Sequence, residues 1–63
     1  MKKKITTHQI TKLCQKMGNI NALASRLEVS EMSIRRWEKG TVDINSSGYR
    51  FEVERILFEY GIN

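Results

Sequence analysis

The stretch between residues 30 and 40 gathers side chains that can bind an anion or hydrogen-bond to an acceptor-rich surface. Within it, Ile34 and Trp37 are three residues apart, which places them on one face of a helix. The cationic residues Arg35, Arg36 and Lys39 fall outside that face. The polar and cationic members are Ser30, Glu31, Arg35, Arg36 and Lys39. A helix with one apolar side and one strongly cationic side is expected to lie between a protein core and an anionic partner.

Catalytic and metal-binding chemistry find little support in this sequence. His8 is the single histidine, and no second histidine or cysteine stands at ligand spacing from it. Cys14 lies on an apolar stripe, where a cysteine behaves as a small hydrophobic residue, and no nucleophile motif surrounds it. We therefore predict that the chain is not an enzyme and that it needs no cofactor, metal or small-molecule ligand.

Length and charge narrow the class of partner. A chain of 63 residues forms one domain with a thin core, and its net charge of +4 and pI of about 9.6 favour a polyanion. One cysteine permits no intrachain disulfide, no apolar run reaches the length of a membrane span, and MKKK leads into polar residues. We expect a cytoplasmic domain, with Met1–Lys4 serving either as a solubilising tail or as an arm that contacts phosphates.

Three helices are predicted in the first forty residues, each with a start and a stop signal. Thr6 or Thr7 is expected to cap a first helix that ends at Gly18, and Asn19 or Asn21 to cap a second that runs to about Leu27. The apolar spacing of i, i+3, i+4 and i+7 is met in the first helix by Ile10, Leu13, Cys14 and Met17, and in the second by Ile20, Leu23, Ala24 and Leu27. Ser30 is expected to cap the third helix and Gly40 to end it.

The remainder predicts a loop and a final helix. From Thr41 to Asn45 the sequence alternates, which indicates a loop held by apolar contacts of Val42 and Ile44. Ser46 or Ser47 is expected to cap a helix over residues 46–60. Its apolar face comprises Tyr49, Val53, Ile56, Leu57 and Tyr60. The predicted fold class is all-α, a small single domain of four or five helices.

Phe51 and Phe58 are seven residues apart and fall outside the main stripe of the final helix. Two surplus aromatic residues in so short a chain indicate either an extension of the core or an exposed face that binds a partner. We predict a symmetric homodimer through this helix.

The central pair of helices fits one anionic partner well. The major groove of B-DNA is ~12 Å wide and admits one α-helix, provided that the back of the helix is anchored and its front carries donors and acceptors. Ile34 and Trp37 are suitable anchors, which leaves the cationic side of that helix free for double-stranded DNA.

Residues 20–40, INALASRLEVSEMSIRRWEKG, resemble the helix-turn-helix of the Cro and phage-repressor superfamily, the XRE family of transcriptional regulators. Ala24 occupies the small fifth position of that pattern, and the closing WEKG is similar to the family's recognition helix. Apolar positions four, eight, ten, fifteen and eighteen are filled by Leu23, Leu27, Val29, Ile34 and Trp37. Two departures are Glu28 at the left-handed ninth position, usually Gly, and Ile20 at the first, usually Gln.

The resemblance implies a lambda-repressor-like fold and a recognition helix that enters the major groove of a pseudo-palindromic operator, as in a Cro-like repressor of a phage or prokaryote. The base contacts that it implies are Ser30, Glu31, Met32, Arg35 and Arg36. For Glu31 the alternative is interaction with the helix dipole alone. The expected phosphate contacts are Lys2, Lys3, Lys4, Asn19, Asn21, Ser33, Lys39 and Thr41.

Two other functions are compatible with the same residues. One is a protein-interaction module, such as an antitoxin or anti-repressor, whose working surface is formed by Phe51 and Phe58. The other is the DNA-targeting subunit of a recombination complex. A DNA reader should lose affinity steeply as salt concentration rises, which distinguishes it from a protein-interaction module.

Overall fold

The computed structural model describes residues 4–62, and this part of the chain is all-helical, as the sequence predicts. Met1–Lys3 and Asn63 lie outside the described residues. No strand occurs within residues 4–62. The helices are α1 (Thr7–Met17), α2 (Ile20–Leu27), α3 (Glu31–Lys39) and α4 (Arg50–Glu59), with a short 3-10 helix at Ile44–Ser46 between the last two.

One hydrophobic core joins all four helices. Helices α1, α2 and α3 pack against one another pairwise, and α4 contributes Val53, Ile56 and Leu57 to the same buried set. Five side chains in the described part have essentially no solvent exposure: Ile10, Leu13, Leu23, Ile34 and Val53. Ile20 is half-buried and packs against this core.

Each of the first three helices begins where its capping residue predicts. The Thr6 hydroxyl accepts a hydrogen bond from the amide of Gln9, and the Gln9 side chain accepts one from the amide of Thr6, which is a complete capping box. Asn19 caps α2 by accepting from the amide of Ala22 at 2.9 Å. Ser30 caps α3. The helix starts are therefore specified locally, by residues within three positions.

The turn between α2 and α3 keeps its left-handed shape without glycine. Glu28 has φ 58° and ψ 43°, and it is the one non-glycine residue of positive φ in the described chain. The amides of Glu28 and Val29 donate to the carbonyls of Ser25 and Ala24, which is the hydrogen-bond pattern of a Schellman motif. These bonds hold Glu28 in a conformation that strains a residue with a Cβ atom.

Replacing Glu28 with glycine is expected to raise the free energy of unfolding by about 1 kcal/mol, since glycine adopts this conformation without steric penalty. Urea denaturation followed by circular dichroism measures the change. Glu28→Ala is the matched control because it removes the carboxylate and retains the strain. A glycine variant no more stable than the alanine variant would contradict the assignment of strain.

The C-terminal part departs from the sequence-based prediction in three respects. Val42 is 40% exposed, so Ile44 forms the apolar contact of the loop without it. Neither Ser46 nor Ser47 caps the last helix: α4 begins at Arg50 after Tyr49, and no side chain caps it. The predicted range of 46–60 was therefore too long at its start, because the serines belong to the 3-10 turn and its exit.

Tyr49 and Tyr60 flank α4 rather than extending its buried face. Each is more than one third exposed, whereas Val53, Ile56 and Leu57 are buried. The ring of Tyr49 lies 5.8 Å from that of Trp37, centroid to centroid, at a tilt of 48°. The predicted stripe is thus correct in its centre and wrong at its two ends.

Asn45 ties the N-terminal segment to the loop before α4. Its Oδ1 accepts from the amide of Ile5 at 2.8 Å, and its Nδ2 donates to the carbonyl of Ile5 at 2.9 Å. Asp43 in turn accepts from the Asn45 amide at 3.0 Å, and this bond lowers the pKa of the Asp43 carboxyl. The pair of bonds holds Ile5 in the core, where it is 6% exposed.

Asn45→Ala is expected to lower the free energy of unfolding by about 1–3 kcal/mol, because both main-chain groups of Ile5 lose their partner. Thermal or urea denaturation measures this loss. Ser46→Ala, which removes one exposed hydrogen bond to Asp43, is the control and should change stability by less than about 0.5 kcal/mol. Equal effects of the two substitutions would show that Ile5 is not held in this way.

Candidate nucleic-acid interface

Four exposed side chains form one continuous stripe along α3. Met32, Arg35, Arg36 and Lys39 follow the spacing i, i+3, i+4 and i+7, and all four are exposed. Ile34 and Trp37 occupy the opposite side and are 0% and 4% exposed. We call the four exposed residues the cationic stripe. The predicted division of α3 into an anchored back and a charged front is therefore confirmed.

The rest of the fold holds α3 at both ends and along its back. The Ser30 hydroxyl accepts from the amide of Ser33 at the start of the helix, and Gly40, with φ 79°, ends it. On the flank, the Thr11 hydroxyl of α1 donates to Glu38 at 3.0 Å. A short helix fixed in this way can present its outer face without bending.

Glu31 makes contacts that the sequence did not reveal. One carboxylate oxygen accepts from Nδ2 of Asn21 in α2 at 2.7 Å, and the other lies 3.9 Å from a guanidinium nitrogen of Arg35. Sequence reasoning weighed base contact against interaction with the helix dipole. In the free protein Glu31 bridges α2 and α3, and a base contact by Glu31 stays a prediction.

The two arginines of the cationic stripe differ in their surroundings. Arg35 has the Glu31 carboxylate within reach, although both side chains are largely exposed and the pair is weak. The Arg36 side chain has no hydrogen bond or ion pair within residues 4–62. Its five donors are thus available to a partner.

Ser30 and Ser33 are engaged with each other. Their hydroxyl oxygens are 3.2 Å apart, and Ser30 also caps the helix. A capping serine can accept from the helix and donate outward at the same time. The base contact of Ser30 and the phosphate contact of Ser33 stay predictions.

The predicted phosphate contacts lie at several places around α3. Lys39 and Thr41 are exposed at its C-terminal end, and Asn21 is exposed at the start of α2. Asn19 uses its side-chain oxygen as a cap, so its amide nitrogen is the group left for a phosphate. Lys4 is exposed and close enough to Asp43 to help lower the pKa of that carboxyl, while Lys2 and Lys3 lie outside the described residues.

Charge is distributed unevenly along the chain. Residues 1–49 carry nine of the eleven Lys and Arg and four of the seven Asp and Glu. Residues 50–63 carry two cations and three acids, so the segment containing α4 has a net negative charge. The positive field therefore comes from the part of the molecule that contains the cationic stripe.

Sequence reasoning placed Lys39 on the exposed side of this helix with Arg35 and Arg36, and assigned it to phosphates rather than to bases. The spacing of seven residues between Met32 and Lys39 is the sequence signal that places both on one helical face. The Asn21 bond to Glu31 had no such signal because the two residues belong to different helices.

The phenylalanines of α4 are exposed. Phe51 is 61% and Phe58 is 86% exposed, so the alternative in which both rings extend the core is wrong. Arg50 of the same helix places its guanidinium 5.6 Å from the centre of the Phe51 ring. The exposed aromatic surface lies on a different helix from the cationic stripe.

The remaining candidate sites concern metal ions, a membrane and the single cysteine. Within residues 4–62 no group of three potential metal ligands occurs, and no helix has the length and hydrophobicity to cross a bilayer. Cys14 is buried, and burial, with a contribution from the Glu38 charge, raises the pKa of its thiol to about 11. The thiol is therefore protonated at neutral pH and a poor nucleophile.

No protein-family model, curated protein or solved structure matches this chain. The resemblance to the XRE family therefore depends on the residues of the motif alone.

Proposed function

We propose that the chain is a sequence-specific reader of double-stranded DNA that inserts α3 into the major groove. The observation that carries this proposal is the cationic stripe, which faces outward from a helix whose back is buried at Ile34 and Trp37. A merely solvated helix has no need for two adjacent arginines and an exposed methionine on one face. Met32 is 57% exposed and adds an apolar group to this otherwise cationic face.

Base reading would fall mainly to the middle of the stripe. Arg36 has its guanidinium free to donate two parallel hydrogen bonds to O6 and N7 of a guanine. Arg35 can make the same pair of hydrogen bonds once its ion pair with Glu31 is broken. Breaking that ion pair costs little free energy because both side chains are exposed. Met32, one turn earlier, suits contact with a thymine methyl group.

Phosphate contacts would fix the register of the helix in the groove. Lys39 and Thr41, exposed at the C-terminal end of α3, would contact the phosphates of one strand, and Asn19 and Asn21, exposed at the start of α2, would contact those of the other. Lys4 and the lysines before it would add contacts from the N-terminal arm. These groups supply affinity for any sequence, whereas the stripe supplies preference.

The proposed biological role is that of a Cro-like transcriptional repressor of the XRE family, acting on a pseudo-palindromic operator. Half-sites of such operators lie ~34 Å apart. The longest dimension of the domain is 30 Å, so one copy cannot place α3 in two successive major grooves. Two copies on the DNA are therefore part of the proposal.

Selection of bound duplexes from a random pool tests the proposal. We expect an enriched sequence containing a guanine-bearing half-site, repeated with two-fold symmetry. Affinity for that sequence should fall with salt by ~0.9 log units per log unit of salt for each phosphate neutralised, hence with a slope of about −3 or steeper. Equal affinity for all duplexes at every salt concentration would contradict the proposal.

A protein-interaction module is the second candidate, and the 86% exposure of Phe58 favours it. In that function the aromatic surface of α4 binds a protein and the cationic stripe is dispensable. Replacing Arg36 and Lys39 together distinguishes the two candidates. A protein-interaction module would still bind its protein partner, whereas a DNA reader would lose its affinity for DNA.

A further inference from the structure

The exposed face of α4 has a composition that is complementary to itself. Phe51 and Phe58 are separated by two helical turns and lie on the same face, with Glu54 and Arg55 between them. The centre of this four-residue stripe falls between the acid and the base. An antiparallel copy of the helix that crosses the first at this centre brings Phe51 of each copy opposite the partner's Phe58. The same arrangement brings each Glu54 opposite the partner's Arg55.

The surface around Phe58 provides room for a second aromatic ring. One open groove beside Phe58 is lined by Lys4, Ile5, Gln9, Glu54, Leu57 and Ile62. A second open groove beside Phe58 is lined by Glu54, Arg55 and Glu59. A projecting ring beside a groove is what an isologous interface requires, because the same patch must supply both surfaces.

We propose that this face binds a second copy of the chain, with the two α4 helices antiparallel and crossing at Glu54 and Arg55. Phe58 of each copy packs beside the partner's Phe51, in the space that the flanking grooves leave. Each Glu54 faces the partner's Arg55. The inference deepens the proposed function and rests on it for its biological purpose, since a dimer supplies the two copies of α3 that a two-fold operator needs.

The area involved indicates a weak dimer in the absence of DNA. Each phenylalanine buries about 150–250 Å², so four rings bury less than the ~1,600 Å² of a standard interface. We therefore expect a dissociation constant in the micromolar range for the free protein, with dimers stabilised further when both copies bind one DNA molecule.

Charge reversal on α4, followed by sedimentation velocity without DNA, tests the register. Glu54→Arg and Arg55→Glu each place like charges across the two-fold axis, and symmetry makes every substitution act twice. We expect each to weaken dimerisation by about tenfold. The double variant Glu54→Arg with Arg55→Glu restores opposite charges and should return the dissociation constant to within about threefold of the original.

Two further variants serve as controls. Glu52→Arg makes the same change of charge outside the four-residue stripe, in a groove that Arg26, Leu27 and Arg55 also line, and it should change dimerisation much less than the substitutions at Glu54 and Arg55. Phe58→Ala removes a ring that the fold of one copy does not bury, so it should abolish the dimer and leave the circular dichroism spectrum unaltered. Because Glu54 also lies 3.9 Å from Arg50, the Phe58 variant and Arg55→Glu test the interface if Glu54→Arg unfolds.

Three results would overturn the proposal. The first is a protein that stays monomeric at every concentration up to about 1 mM, well above the expected micromolar dissociation constant. The others are a double variant that dimerises as weakly as the single variants, or a Glu52→Arg variant that weakens dimerisation as much as they do. None of these bears on the binding of one copy to a single half-site. A failed dimer with intact half-site binding therefore refutes this interface and leaves the DNA-reading proposal in place.

Discussion

Replacing Trp37 with alanine is expected to leave most of the protein unfolded at 25 °C. Trp37 is 4% exposed, packs in the core shared by the four helices, and lies against the ring of Tyr49. Removing a buried Trp costs about 3–5 kcal/mol, and the net stability of a core this small is about 3–5 kcal/mol. Far-ultraviolet circular dichroism and a urea titration measure the loss.

Met32→Ala is the matched control for this prediction, because it shortens a side chain of the same helix that is 57% exposed. It should change the free energy of unfolding by less than about 0.5 kcal/mol. A Trp37→Ala variant that stays folded with a cooperative transition near that of the original chain would show that the back of α3 is not the anchor.

Replacing Arg36 with alanine is expected to reduce affinity for the selected duplex by about 10- to 100-fold, the value of one bidentate contact with guanine. Affinity for a scrambled duplex should fall much less, since it loses only one favourable charge. The physical reason is that the Arg36 side chain is exposed and unpaired within the described residues. Its removal therefore causes no rearrangement of the protein that could compensate for the lost contact with DNA. Fluorescence anisotropy with both duplexes in the same buffer measures the ratio.

Two substitutions separate base reading from charge. Arg36→Lys retains the cation and loses the planar fork of donors, so it should lose preference as Arg36→Ala does while binding scrambled DNA nearly as well as the original chain. Lys39→Ala should weaken both duplexes by the same factor. Equal loss for selected and scrambled DNA in the Arg36 variants would remove Arg36 from the base-reading set.

The features that the sequence predicts correctly are those fixed by near neighbours. Thr6, Asn19 and Ser30 cap their helices through bonds to amides three residues on, and Gly40 ends α3 as a left-handed residue. Apolar spacing within single helices also identified the buried face of α3. Such signals lie within one or two turns of chain, and the sequence displays them directly.

The features that escaped prediction depend on contacts between distant segments. Asn45 bonds to Ile5 across forty residues, and Asn21 bonds to Glu31 between two helices. Val42 has the apolar character of a loop anchor, but the 3-10 turn buries Ile44 in its place. These outcomes follow from the path of the chain after packing, and the local pattern of residues does not determine that path.

The most direct test of the central claim is a nuclear magnetic resonance titration of the isotope-labelled chain with the selected duplex and with a scrambled one. If α3 enters the major groove, amide shifts specific to the selected duplex will fall between Ser30 and Thr41 and at the start of α2, whereas shifts common to both will follow the phosphate contacts. Specific shifts confined to α4, or identical shifts with the two duplexes, would contradict the claim that the cationic stripe reads bases.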